Sequence, residues 1–365
     1  MKKYMMIAAV SSLLLAGCGT TASNTKPKKE EQVAKHVEQE KEKAFEPKAT
    51  VVTNPITSES TNTMISTKDI KESVTEIQYH VWRTADGKES KKTLSSKDKD
   101  NNFSLSLDLK DFNAKRGEYQ VEAYGVKADN KQVLLTKSAV VFPHHVPILM
   151  YHAVDHFNGQ GLKDLFVSPD NFEAQMKYLK DNGYTLLTFE RWGDIYKVNK
   201  PIFVTFDDGM KNNMNAFRIL QKLKDDRFHP TATEYMIANC IDGGDSWLST
   251  NDLKEMVNSG IFSVQSHTVS HADLPKITNY EAELKGSKEK IESVTGQKVI
   301  AIAYPFGHVN DKVVEETKKY YQYATTTKAG QFIEKGQPNE LLLMQRVRIH
   351  NSTTVEQFAS LVQEK

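Results

Sequence analysis

The sequence predicts two folded parts in series: a small all-β sandwich, then an α/β domain that closes as a (β/α) barrel. Three observations carry this. Apolar residues recur with a period of two across 64–143, strand-like and helix-like segments alternate across 146–365, and chemistry-bearing side chains fall where those later strands end. At 365 residues the chain has room for two cores, and a formal net charge of +1 argues against nucleic acid as the main partner.

The chain opens with Met1-Lys2-Lys3, an apolar run from Tyr4 to Leu15 and then Ala16-Gly17-Cys18, the basic and short apolar regions of an export signal. The run is too short for a bilayer, which needs about 20 residues. Leu15-Ala16-Gly17-Cys18 resembles a bacterial lipoprotein box. The resemblance implies cleavage before Cys18 and diacylglycerol attachment there, hence a protein lipid-anchored to the outer face of the bacterial cell membrane. Residues 19–63 are rich in Lys, Glu, Thr, Ser and Pro and read as a disordered tether. Cys240 lies in an apolar run, where a small buried hydrophobe is expected.

In the β part, Ile77, Tyr79 and Val81 alternate with polar residues, as do Phe103, Leu105, Leu107 and Leu109, and Tyr119, Val121 and Ala123. Ala85-Asp86-Gly87 and Ala128-Asp129-Asn130 supply turns. Val81-Trp82 and Gly117-Glu118-Tyr119 resemble the Bsp-like repeat of Gram-positive surface proteins. Trp82 reads more readily as core than as a sugar platform.

From Pro147 the strands expected are Pro147–Met150, Tyr184–Leu187, Ile202–Phe206, Thr233–Ile237, Ile261–Val264, Val299–Ala303, Gln322–Thr325 and Arg346–Ile349. Helices fall between most of them. Ser168-Pro169 opens one as cap and first residue, with Phe172, Met176 and Leu179 on its inner face. Others span Asn251–Asn258 and Asn279–Val294, and a last one is capped by Ser352.

His152, Asp207 with Asp208, His267 with His271, Pro305-Phe306-Gly307 and His350 each end or follow a strand, where barrels place their sites. Phe203-Val204-Thr205-Phe206-Asp207-Asp208-Gly209 is central. It delivers two adjacent carboxylates to the sheet rim, which is tolerable only beside a cation. One carboxylate can hold a metal ion while the other takes a proton from an activated water. His267 and His271 are spaced to face one ion, and with Asp208 they form a His2Asp set suited to Zn²⁺, with Co²⁺, Ni²⁺ or Fe²⁺ as alternatives. Trp247, on a loop after a strand, is a candidate for stacking on a sugar ring.

Thr205-Phe206-Asp207-Asp208-Gly209, His267-Thr268-Val269-Ser270-His271 and Tyr304-Pro305-Phe306-Gly307 resemble the three motifs of the polysaccharide deacetylases of carbohydrate esterase family four. Pro147-Ile148-Leu149-Met150-Tyr151-His152 is similar to the branch with poly-N-acetylglucosamine deacetylases. The resemblance covers 146–365 and implies a distorted (β/α) barrel. It implies hydrolysis of N-acetyl groups on an N-acetylglucosamine polysaccharide, with Asp207 as base, Asp208, His267 and His271 as metal ligands, and Tyr304 to Gly307 as substrate-binding residues, with a backbone N–H near Tyr304 for the oxyanion. The general acid is His152 or His350. Many members carry an arginine before the third motif, but this chain reads Ile302-Ala303-Tyr304. Arg346 shares one face of the last strand with Arg348 and His350, so it is the substitute expected at the site, holding Asp207 ionised or touching substrate. An O-acetyl polysaccharide esterase and an inactive glycan-binding lipoprotein are the competing readings.

Overall fold

The structure, a computed structural model, describes residues 45–363. The export signal with Cys18, and the tether up to residue 44, lie outside the described residues.

Seven antiparallel strands form the β part: β1 (Thr50–Thr53), β2 (Asn62–Lys68), β3 (Glu76–Arg83), β4 (Lys92–Ser96), β5 (Leu105–Asp108), β6 (Gly117–Val126) and β7 (Gln132–Phe142). They pair as a three-stranded sheet, β1-β2-β5, and a four-stranded sheet, β4-β3-β6-β7. The alternating residues do what the period required: Ile65, Ile77, Tyr79, Val81, Leu107, Tyr119, Val121 and Ala123 are fully buried in one core. Two expectations are corrected. The tether does not extend to 63, because β1 pairs antiparallel with β2 and Ala49 is buried beside it. A four-residue edge strand takes its order from its neighbour, so composition does not reveal it. Trp82 is not core either. Val81 and Arg83 point inward, so Trp82 takes the outer face, where the Lys88 ammonium stands 5.0 Å from its ring.

The second part contains β8 (Ile148–Tyr151), the short pair β9 (Ala153–Val154) and β10 (Phe166–Val167), β11 (Thr185–Leu187), β12 (Pro201–Asp208), β13 (Ala232–Met236), β14 (Phe262–Ser266), β15 (Ala301–Ala303), β16 (Tyr323–Ala329) and β17 (Met344–Arg348). Strands β12 to β17 run in order and β8 closes the circle by pairing with both β17 and β12, giving a seven-stranded parallel barrel; β11 extends the sheet beside the start of β12. The helices are α1 (Pro169–Asp181), α2 (Asn213–Leu223), α3 (Thr250–Asn258), α4 (Tyr280–Thr295), α5 (Asp311–Thr317) and α6 (Val355–Val362). Ser168 caps α1 by accepting from Asn171 N–H, with Pro169 in the first turn. The last helix is capped by Thr354 rather than Ser352, because Thr354 has Gln357 to complete a reciprocal capping box.

Alternation along the strands divides the barrel's apolar residues between two cores. Val204, Phe206, Val264 and Val347 pack outward with the helices, whereas Phe203, Tyr235, Ala303 and Met344 fill the interior. Asp207 therefore shares the inner face of β12 with Phe203, and Arg346 the inner face of β17 with Met344. The order of residues alone brings a carboxylate and a guanidinium to one mouth.

Candidate active site

Asp208, His267 and His271 converge so that one ligand atom from each lies within 4.8 Å of the others. The Nε2 atoms of His267 and His271 stand 3.5 and 3.7 Å from Asp208 Oδ1. His267 donates its Nδ1–H to Ala303 O at 2.7 Å, which leaves Nε2 bare for a metal. Burial lowers the His267 and His271 pKa values, so both imidazoles are neutral donors; burial raises that of Asp208, whose charge needs a cationic partner that neutral imidazoles cannot supply. A His2Asp set of this chemistry fits Zn²⁺ or a similar divalent ion.

The chain reaches this arrangement through unusual backbone. Asp208 has φ 82° and Gly209 φ 89°, so β12 turns away immediately past its carboxylates. A Cβ at Gly209 would stand 2.1 Å from Met236 Sδ. Thr268 (φ 67°) and His271 (φ 57°) are also left-handed. The two histidines thus meet through a pinned loop rather than a regular helical turn.

Asp207 is 2 % exposed and Arg346 fully buried. The guanidinium grips the carboxylate with two bonds, Nη1 to Oδ1 and Nη2 to Oδ2, each 2.7 Å. Burial pushes the Asp207 pKa up, and the charge and hydrogen bonds of Arg346 more than offset this, holding it well below the usual carboxylate range. His152 Nε2 lies 4.0 Å from Asp207 Oδ2. Burial lowers the His152 pKa against the opposing pull of Asp207, leaving the ring neutral near pH 7.

Several expected residues stand elsewhere. His350 is half exposed and bonds Asp164 through Nδ1 at 2.7 Å, rather than Asp207. β17 stops at Arg348, so His350 already belongs to the turn beyond it. Arg346 has no surface to offer a substrate; it is the partner of Asp207. Tyr304 and Pro305 are buried too, and Tyr304 N–H donates to Thr325 O, so it cannot serve an oxyanion. Of that motif Phe306, 54 % exposed, is the residue that reaches out, its ring 4.6 Å from that of His271. Gly307 is required at φ 71° because a Cβ would stand 2.0 Å from Thr327 Oγ1. Trp247 is half-buried beside Met210, two residues past Asp208 in the chain, on the same rim.

Two carboxylates escaped the sequence reading. Glu283 on α4 accepts from Val269 N–H and Ser270 N–H at 3.0 Å each and from Ser270 Oγ at 2.6 Å, holding the loop between the two histidines. Its position in an exposed-looking charged helix gave no signal. Glu234 is fully buried on β13 and accepts from Asn213 Nδ2 at 3.1 and 3.2 Å. Burial raises its pKa well above the ordinary value, and the nearby Asp207 and Asp208 charges push the same way. A lone charge inside the apolar run Thr233–Ile237 was its available signal.

A family model described as polysaccharide deacetylase matches residues 196–324. YxkH of Bacillus subtilis, described as a polysaccharide deacetylase, is 31 % identical over 230 residues, 60 % of this chain and 77 % of that protein. The chain belongs to the polysaccharide deacetylase family. A crystal structure of a protein from Bacillus anthracis, also described as a polysaccharide deacetylase, is 70 % identical, covers 87 % of this chain and 100 % of its own, and superposes with a TM-score of 0.85. The poly-β-1,6-N-acetyl-D-glucosamine N-deacetylase of Staphylococcus epidermidis is 26 % identical over 178 residues, 43 % of this deacetylase and 60 % of that protein's length.

Proposed function

We propose that this deacetylase removes acetyl groups from N-acetylglucosamine units of a cell-wall or extracellular polysaccharide, using a divalent metal ion, Zn²⁺ first, held by Asp208, His267 and His271. The observation that carries the reading is the donor set of those three residues directly beside the buried Asp207–Arg346 pair. When bound, the ion would supply Lewis acidity to the acetyl carbonyl and lower the pKa of a water in the site.

The chain's own residues divide the remaining work. Asp207, kept ionised by Arg346, accepts the proton of the attacking water. His152, neutral at rest and 4.0 Å from Asp207, takes up that proton from Asp207 and delivers it to the amine nitrogen as the C–N bond breaks. With Tyr304 N–H committed to the sheet, the Phe306 N–H is the backbone donor for the developing oxyanion, a class of interaction worth about 3–4 kcal/mol. The exposed Phe306 ring gives a sugar a face to stack on, and Trp247 offers a second on the rim. The similarity to a poly-N-acetylglucosamine deacetylase supports the N-acetyl substrate. The Leu15–Cys18 sequence supports anchoring through a lipid on Cys18, which would set the domain against the glycans outside the membrane.

The test is free-acetate release from N-acetylglucosamine oligomers, peptidoglycan and O-acetylated xylan with Zn²⁺ supplied. Release from an N-acetyl substrate that Asp207→Asn abolishes is the expected result. Release from the xylan alone, or none from any substrate by metal-loaded protein, overturns the proposal.

A further inference from the structure

One cavity lies away from the catalytic mouth. It has a volume of about 530 Å³ and opens between the β part and the base of the barrel. Pro147 and Pro201, which precede β8 and begin β12, line it, while His152 and Asp208 stand at the far ends of those strands. At about 3.3 Å per residue, β12 puts roughly 20 Å between cavity and metal ligands.

Its walls carry Arg83, Lys115, Arg116 and Lys200 and, among the described residues, no Asp or Glu. Arg83 and Lys115 share one carboxylate, Asp86, at 2.7 and 3.3 Å. Arg116 donates to two carbonyls, Pro143 O at 2.9 Å and Ser60 O at 3.1 Å. Lys200 donates to Asn182 O at 2.9 Å, where α1 ends. Carbonyls orient these groups without neutralising them, so among the described residues four cations meet one carboxylate. Such a set is self-repulsive around a concave space unless an anion enters. Helix capping accounts for Lys200 alone.

The rest of the lining is not that of a plain ion site. Tyr178 contributes an aromatic face, Asn199 and Gln363 contribute amides, and His145, whose Nδ1 is buried with no partner among the described residues, adds another polar atom. Cations for a phosphate, with rings and amides for a hydroxylated body, match a phosphorylated polyol or sugar.

We propose that this cavity is a second binding site, independent of the deacetylase centre, for a phosphate ester of a small polyol or sugar, held through Arg116, Lys115 and Lys200. A chain carrying such units would then be gripped at the base of the barrel while the mouth remains open to the acetylated glycan.

Calorimetric titration of the full chain tests it with glycerol phosphate, inorganic phosphate and glycerol in parallel. Saturable binding of glycerol phosphate, at least tenfold tighter than inorganic phosphate and without binding of glycerol, is expected. Lys200→Gln should weaken it at least fivefold. Lys115→Gln, also at an exposed position that leaves the fold intact, should do the same, and Asp207→Asn should leave it unchanged. Arg116→Gln should abolish it; because Arg116 also ties two backbone segments, its thermal unfolding is measured alongside. No binding, equal binding of inorganic phosphate, or binding that neither lysine variant weakens overturns the proposal. Since none of these readouts is deacetylation, failure here leaves the catalytic reading untouched, and failure of that reading leaves this one standing.

Discussion

Replacing Arg346 with Met tests the electrostatic centre of the site. Arg346 is fully buried and the Asp207 side chain 3 % exposed, so solvent cannot take over the lost partner. Removing one member of such a pair strands the other charge, at a cost of about 3–5 kcal/mol. The protein can lower this cost by protonating Asp207. At 1.36 kcal/mol per unit, 3 kcal/mol corresponds to an upward shift of about 2 units, enough to carry the carboxyl from below its usual range into or above it. The sign is set by the starting point. Because the folded pKa is depressed, the pair's contribution is fully present above the unfolded carboxylate value and is lost as pH falls below it. The parent enzyme should therefore show no acid limb from Asp207 near neutrality, whereas Arg346→Met should show one moved upward toward it. The assay is kcat/KM for acetate release against pH, with denaturant unfolding of the same samples. The double variant Arg346→Met/Asp207→Asn should be more stable than Arg346→Met, because no buried charge is left unpaired. A folded Arg346→Met with an unmoved acid limb, or a double variant no more stable than the single, would refute the reasoning.

Glu283→Ala removes three hydrogen bonds from the loop that joins His267 to His271 and should weaken metal binding 10–100-fold, read by chelator competition; undiminished affinity would show that the loop holds itself. Gly307→Ala forces a Cβ at φ 71° to within 2.6 Å of Thr327 N and should cost roughly 1–3 kcal/mol in unfolding measurements. Thr327→Ala should not rescue it, since the backbone nitrogen stays. His144, buried and bonded to Ile195 O, has its pKa pushed down to about 4 by burial. The unfolded chain takes up that proton first, so stability should be full above pH 6.5 and fall by roughly 3 kcal/mol as pH drops to about 4. His144→Asn should flatten that part of the Tm–pH curve, and an unchanged slope would remove His144 as its cause.

The barrel was legible because strands such as Ile202–Phe206 are apolar runs and most strands are followed by a helix with an apolar face, signals that are local. The convergence of Asp208, His267 and His271 was legible for a similar reason: residues of ligand chemistry stand at or shortly past strand ends, and the structure brings them within 4.8 Å of one another. What stayed hidden depends on three-dimensional placement. His152 follows β8 directly and turns into the mouth, whereas His350 lies two residues past β17 and turns out to Asp164; the strings Tyr151-His152 and Ile349-His350 do not reveal which. Tyr304 and Phe306 are both aromatic neighbours of Pro305. Tyr304 still belongs to the sheet through its bond to Thr325, and Phe306, at φ 60°, has left it.

The two halves of the site are stabilised by different means, and that difference sorts its residues. Asp207, at the end of a regular strand, is fixed by a buried ion pair that the inward faces of β12 and β17 already dictate. Because β8 sits between those strands in the closed circle, an arginine on β17 can reach Asp207 on β12 across the barrel mouth. Asp208, Thr268, His271 and Phe306, by contrast, all hold positive φ, a strain of order 1–3 kcal/mol each that local bonds from Glu283 and close packing at Met236 must sustain. Backbone held out of its preferred wells around three ligands and one stacking ring leaves little to reorganise when an ion binds. Substitutions in the supports of this strained half should therefore move metal affinity before they move stability, and those around Asp207 should do the reverse.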